Sequence, residues 1–149
     1  VSRGIVAMVL IPDRNWNVPD TARSKDLVQR MNAALEAAKE LDLPVFIGTE
    51  MNKPGQLLID DLSVPALNPH CEQFQHGADM LWAHTVLERE HGLGFQSAWA
   101  KAQVPSRADR VRLYTRLGSL LSPDDHSVDR AASLLRSAGL RATVEILNG

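Results

Sequence analysis

The sequence predicts an α/β fold: a strand–helix–strand opening with a small parallel sheet, followed by a mainly helical half. Three observations carry this expectation. Two short apolar runs rich in β-branched residues, 4–11 and 45–47, flank a long stretch of helical periodicity. Beyond residue 70 the apolar side chains recur at helical rather than alternating spacing. The chain has 149 residues, 44% hydrophobic and 23% charged, which is the size and balance of one ordinary domain with a real core.

The first run, GIVAMVLI over 4–11, is bounded by Gly4 and Pro12 and reads as a strand buried on both faces, as in a parallel sheet. The polar string Asp13-Arg14-Asn15-Trp16-Asn17 follows it. A helix is then expected from about Ser24 to Asp42, with Leu27, Met31, Ala34, Leu35, Ala38 and Leu41 on its inner face and Asp20 or Ser24 as its cap. Pro44 closes the helix, and Val45–Ile47 form the second strand. Strand, helix and strand over 4–48 make a βαβ unit, whose strands run parallel. Residues 49–70, with Pro54, Gly55, Pro65 and Pro69, form an irregular loop with one short helix. The segment 71–139 is helical: one helix from Cys71 to near Gly92, a short one around Trp99 and Ala102, and one opened by Ser106 and Asp109 in a capping-box pattern. In that third helix Leu113, Leu117 and Leu120 face inward. A last helix with Val128, Ala131, Leu135 and Ala138 stops at Gly139. Residues 142–146 (ATVEI) read as a third, short strand. No repeat or linker divides the chain, so 1–149 reads as a single domain.

Composition excludes several classes. There is enough apolar surface to offset chain ordering, so the chain is not intrinsically disordered. No apolar run approaches the ~20 residues of a membrane helix. The single cysteine, Cys71, rules out an intramolecular disulfide and a multi-cysteine zinc site, and it reads as a small core residue. A net charge of -2 gives no footprint for nucleic acid or anionic lipid. The chain opens on Val-Ser-Arg-Gly with no secretory leader in front of the first strand, which suggests a cytoplasmic piece cut from a longer protein.

Sites in parallel α/β folds gather at the carboxyl ends of the strands, where the following loops converge. Asp13-Arg14-Asn15 follows the first strand and Thr49-Glu50-Met51-Asn52 follows the second, so parallel pairing places Asp13, Arg14, Asn15, Glu50 and Asn52 on one rim. Glu50 is the sharpest candidate, as a metal ligand or general base; the alternative is an ion pair with Arg14 across the rim. Asp60 and Asp61 are adjacent and point apart in regular structure, so they read as a helix-start pair. The five histidines, His70, His76, His84, His91 and His126, lack the spacing of a zinc-binding helix. His84 borders an apolar face and reads as a hydrogen-bonded core residue, and Asp124-Asp125-His126 reads as a helix cap. Trp82 and Trp99 read as packing residues, while Trp16 could wall a pocket. Arg107, Arg110, Arg112 and Arg116 read as a solvated or intersubunit face.

Taken together, IPDRNWNV, LPVFIGTEMNKPGQLLIDD and GADMLWAHTVLE resemble a stretch of bacterial proteins similar to the PHP (polymerase and histidinol phosphatase) superfamily of metal-dependent hydrolases. The resemblance covers roughly residues 4–105 and is most specific at Gly48-Thr49-Glu50-Met51-Asn52 with Pro54-Gly55-Gln56. In that family a glycine-x-glutamate at a barrel strand end supplies a metal-ligating carboxylate, which implies that role for Glu50. His84 and the Asp124/His126 pair echo later family ligands but fall in helical and capping segments. The family's early His-x-His signature is absent, and two or three strands cannot close a (β/α) barrel. The resemblance therefore implies the carboxyl-terminal portion of a larger barrel enzyme, inactive alone. A divalent metal would be held in part by Glu50, and a small, anionic phosphoester substrate would be met by Arg14, Asn15 and Asn52. A homo-oligomer or the missing amino-terminal half is the implied protein partner. Two other readings stand beside it: a non-catalytic α/β assembly or ligand-binding module, and a different hydrolase of small acids.

Overall fold

The computed structural model describes residues 4–50, 54 and 57–149; it is mostly helical, with one two-stranded parallel sheet. Element order is β1 (Met8–Leu10), α1 (Asp13–Trp16), α2 (Thr21–Glu40), β2 (Val45–Ile47), a 3₁₀ turn (Asn68–His70), α3 (Cys71–His91), α4 (Ala98–Gln103), α5 (Arg107–Leu120), α6 (Asp125–Ala138) and α7 (Leu140–Asn148). The chain forms two compact units, Val1–His76 and Gly77–Gly149.

In the first unit the strands pair in parallel, Met8 with Val45, Val9 with Phe46 and Leu10 with Ile47. The ladder is closed at its ends by Met8 N donating to the Pro44 carbonyl at 2.9 Å and Gly48 N to the Leu10 carbonyl at 2.8 Å. The crossover is α2. Asp20 is its cap, accepting from the amides of Ala22 and Arg23 at 3.0 Å each, so the helix starts ahead of Ser24. It ends before Pro44 because Asp42 turns left-handed at φ 49° and Leu43 N returns to the Ala38 carbonyl at 2.8 Å. Met31, Leu35 and Ala38 of α2 are buried with Val45, Leu67 and Phe74, and Met8, Leu10 and Ile47 pack against them. Ala34 and Leu41 lie outside that stripe and are exposed. The expectation that β1 is buried on both faces does not hold. Val9, on the face away from α2, is 66% exposed. A doubly covered strand needs helices on both sides of the sheet, and α2 covers only one.

The second unit is helical. Its buried residues include Met80, Leu87, Phe95, Tyr114, Leu117, Leu135 and Leu140. In α5 the buried stripe is Arg110, Tyr114, Leu117 and Gly118, with Leu113 and Leu120 only half-buried. Gly118 lies where α5 meets α3: a Cβ there would stand 1.9 Å from the Asp79 carbonyl oxygen, so only hydrogen fits. The N-cap half of the expected capping box is present at Ser106, whose hydroxyl accepts from Asp109 N at 3.3 Å, and α6 ends at Gly139, which sits at φ 84°.

The strand expected over 142–146 is instead part of α7. Leu140, Thr143 and Val144 are buried and Leu147 is half-buried, a stripe at helical spacing that packs on α5 and α6. Of the β-branched residues that suggested a strand, Thr143 and Val144 fall on that stripe while Ile146 is exposed, and tertiary packing outweighs their weak β preference. Among the described residues no helix is long and apolar enough to cross a membrane.

Candidate functional site

The parallel register brings the carboxyl ends of β1 and β2 side by side. From β1 the chain passes through Ile11 and Pro12 into the single turn of α1, and from β2 through Gly48 toward Glu50. Gly48 is tightly placed, since a Cβ there would lie 3.3 Å from the Val9 side chain. Arg14, on α1, and Glu50 meet across this rim in an ion pair whose side chains are 46% and 33% exposed. At that exposure such a pair contributes about 0–1 kcal/mol, so it fixes geometry more than it stabilises.

The neighbouring groups brace α1. Asn15 Nδ2 donates to the Ile11 carbonyl at 3.0 Å, and Asn17 Nδ2 donates to Asp13 Oδ1 at 2.7 Å. Asn15 is thereby engaged with the backbone, and Asn52 lies outside the described residues. Trp16 Nε1 donates to Asp60 Oδ1 at 2.8 Å, so Trp16 anchors a carboxylate. Asp60 is buried. Burial raises its pKa above the ordinary aspartate value, the Trp16 hydrogen bond opposes that, and nearby Asp13 adds to the rise. Asp60 and Asp61 do not begin a helix. Asp61 turns outward, accepts from the amide and hydroxyl of Ser63, and has its pKa lowered by those bonds. Asp60 is the rim residue that sequence reasoning missed; an aspartate in an irregular loop carries no periodic signal of its burial.

In the second unit the sequence candidates do structural work. His84 Nδ1 accepts from Phe95 N at 3.1 Å and the Glu88 carboxylate accepts from Gly94 N at 2.8 Å, together holding the loop after α3. A Cβ on Gly94 would stand 2.5 Å from both acceptor atoms, so glycine lets the loop sit in their grip. The Tyr114 hydroxyl donates to the Leu93 carbonyl of the same loop, and burial raises its pKa above the ordinary tyrosine value. Asp124 is the cap of α6, accepting from Ser127 N at 2.7 Å, and His126 is exposed beside it. Trp82 Nε1 donates to the Leu121 carbonyl at 3.3 Å. Arg110 departs from the solvated face expected of its arginine series. It is 6% exposed, lies 5.4 Å from the Phe95 ring centroid, and donates to the Val104 and Pro105 carbonyls at 2.6 and 2.8 Å. There it satisfies carbonyls just beyond α4, which have no partner in the helix, and burial lowers its pKa.

One cluster was not singled out from sequence. Glu90 and His91 end α3, and Asp129 lies one turn into α6; one ligand atom from each falls within 4.8 Å of the others. Among the described residues Glu50 belongs to no such group of three. The adjacent acid and histidine at a helix end were a visible signal, but Asp129 reaches them only through packing. Comparison with family models, with curated proteins and with solved structures finds no match to this chain.

Proposed function

We propose that this chain is part of a PHP-like metal-dependent hydrolase of phosphoester type, built on a larger (β/α) barrel, with the strand-end rim as its contribution to the site. The meeting of Arg14 and Glu50 at the carboxyl ends of two parallel strands carries this reading. In it Glu50 offers a carboxylate to a divalent cation, and Arg14 offers a guanidinium fork to an anionic substrate group. Asn15 and Asp13 hold the turn that presents Arg14. When bound, such a cation supplies an activated water and polarises the ester. One ion-paired carboxylate is not a cage for a hard cation, which takes several oxygen ligands. The described rim by itself therefore holds the ion only weakly, and no chemical step is assigned to this chain alone.

A titration of the purified chain with Mn²⁺ tests the reading. In an Asp129→Asn background, which takes the Glu90–His91–Asp129 cluster out of play, Arg14→Met removes the guanidinium from the Glu50 carboxylate and is expected to strengthen the weak rim binding several-fold, and Glu50→Gln to remove it. Identical isotherms with and without Glu50→Gln in that background would sink it. A second reading, an assembly or ligand-binding module, is favoured by the exposed outer face of β1. In that case the ion pair is a brace, and both substitutions cost the same small stability without touching Mn²⁺ uptake.

A further inference from the structure

We propose that Glu90, His91 and Asp129 form a binding site for a divalent transition-metal cation of the zinc class, where the carboxyl end of α3 meets the first turns of α6. This inference is independent of the Arg14–Glu50 rim and of the hydrolase reading.

The His91 side chain is 14% exposed, and its Nε2 atom is buried and makes no hydrogen bond. Asp129 Oδ1 stands 3.1 Å from that nitrogen, yet off the line along which the ring could donate to it. Two atoms that each ligate one zinc at about 2.0–2.2 Å, at angles between square and tetrahedral, lie roughly 3.0–3.4 Å apart. The observed spacing and the missing hydrogen bond are those of two donors converging on a third point. Glu90 brings a carboxylate oxygen within 4.8 Å of both. One imidazole nitrogen with two carboxylates is a set that suits zinc and its neighbours, whereas magnesium favours oxygen alone. The site also sits at the end of a long helix, where backbone carbonyls concentrate negative charge and favour a cation.

Two arginines flank the cluster. Arg89 pairs with Glu90, and Arg136 lies 3.5 Å from His91 Nδ1 and donates to the His91 carbonyl at 3.3 Å. Arg136 faces Nδ1, so a cation at Nε2, which requires the ring proton on Nδ1, sets that proton against the guanidinium. Both arginines are exposed and have room to move. A cleft of about 230 Å³, lined in part by Trp82, Arg89, Glu90 and Asp125, opens beside the cluster. Of the three proposed ligands, Glu90 lines this cleft.

Calorimetric titration of the metal-stripped chain with Zn²⁺ tests the site, with thermal melting as a second readout. One saturable site is expected. Asp129→Asn and His91→Gln should each weaken it tenfold or more and remove the zinc-dependent rise in melting temperature. Arg136→Met should tighten it, and His76→Gln should leave it unchanged. Asp129 is exposed, so its variant is expected to fold even if the histidine variant does not. Absence of saturable zinc binding, or binding that Asp129→Asn does not alter, overturns the proposal. Failure of the Mn²⁺ test at Glu50 leaves this result untouched, and the reverse holds equally.

Discussion

Asp60 is buried against Trp16 with its pKa raised, mainly by burial. The folded chain therefore holds the proton at pH values where the unfolded chain has released it, and stability falls as pH rises through and above the ordinary aspartate range. Asp60→Asn keeps an oxygen for Trp16 Nε1 but removes the charge. In urea denaturation the variant should match or exceed the wild type at pH 7, and that advantage should disappear at pH 3. A variant weaker at pH 7 than at pH 3 would show that the buried charge is required by a partner. Gly118 gives a steric test: Gly118→Ala sets a methyl against the Asp79 carbonyl, so α5 and α3 must separate. Overpacking of this kind costs about 1–3 kcal/mol, so the denaturation midpoint should drop clearly.

At the scale of elements, caps and termini were legible because they are local. Asp20, Ser106 and Gly139 act through backbone amides and conformations within a few residues of themselves. Asp124→Ala should cost about 1 kcal/mol through loss of the bond to Ser127 N, read as a lower melting temperature. What depends on distant partners was harder to read. In 142–146 the local β-branched composition pointed to a strand, yet the stripe from Leu140 to Leu147 needed its neighbours, α5 and α6, to make a helix worthwhile. Arg110 looked like a member of a charged face, and only the carbonyls beyond α4 give it a buried place. The rim was legible because parallel pairing alone brings two strand ends together. The Glu90–His91–Asp129 cluster was not, since no periodicity relates the end of α3 to α6.

Over the whole chain the two compact units are built by different means, one around a crossover helix on a two-stranded sheet and the other from helices alone. A parallel pair of three-residue strands has little strength of its own, so the first unit depends on the side of α2 that covers it. Leu35 is at the centre of that cover, with no exposed surface, among Met31, Ala38, Val45, Leu67 and Phe74. Truncation to alanine removes the transfer energy of the side chain and leaves a cavity, at a cost of about 2–5 kcal/mol. Each 1.4 kcal/mol is about a tenfold change in an equilibrium. In Leu35→Ala, hydrogen exchange of the α2 and β2 amides should therefore accelerate by one to three orders of magnitude. Leu41→Ala, at the C-cap just past the same helix and 48% exposed, is the control and should change those rates little. If both variants accelerated exchange equally, the sheet would not be held by the buried side of α2. The rim would then need another support, because the strand ends that α2 keeps in register bring Arg14 and Glu50 together.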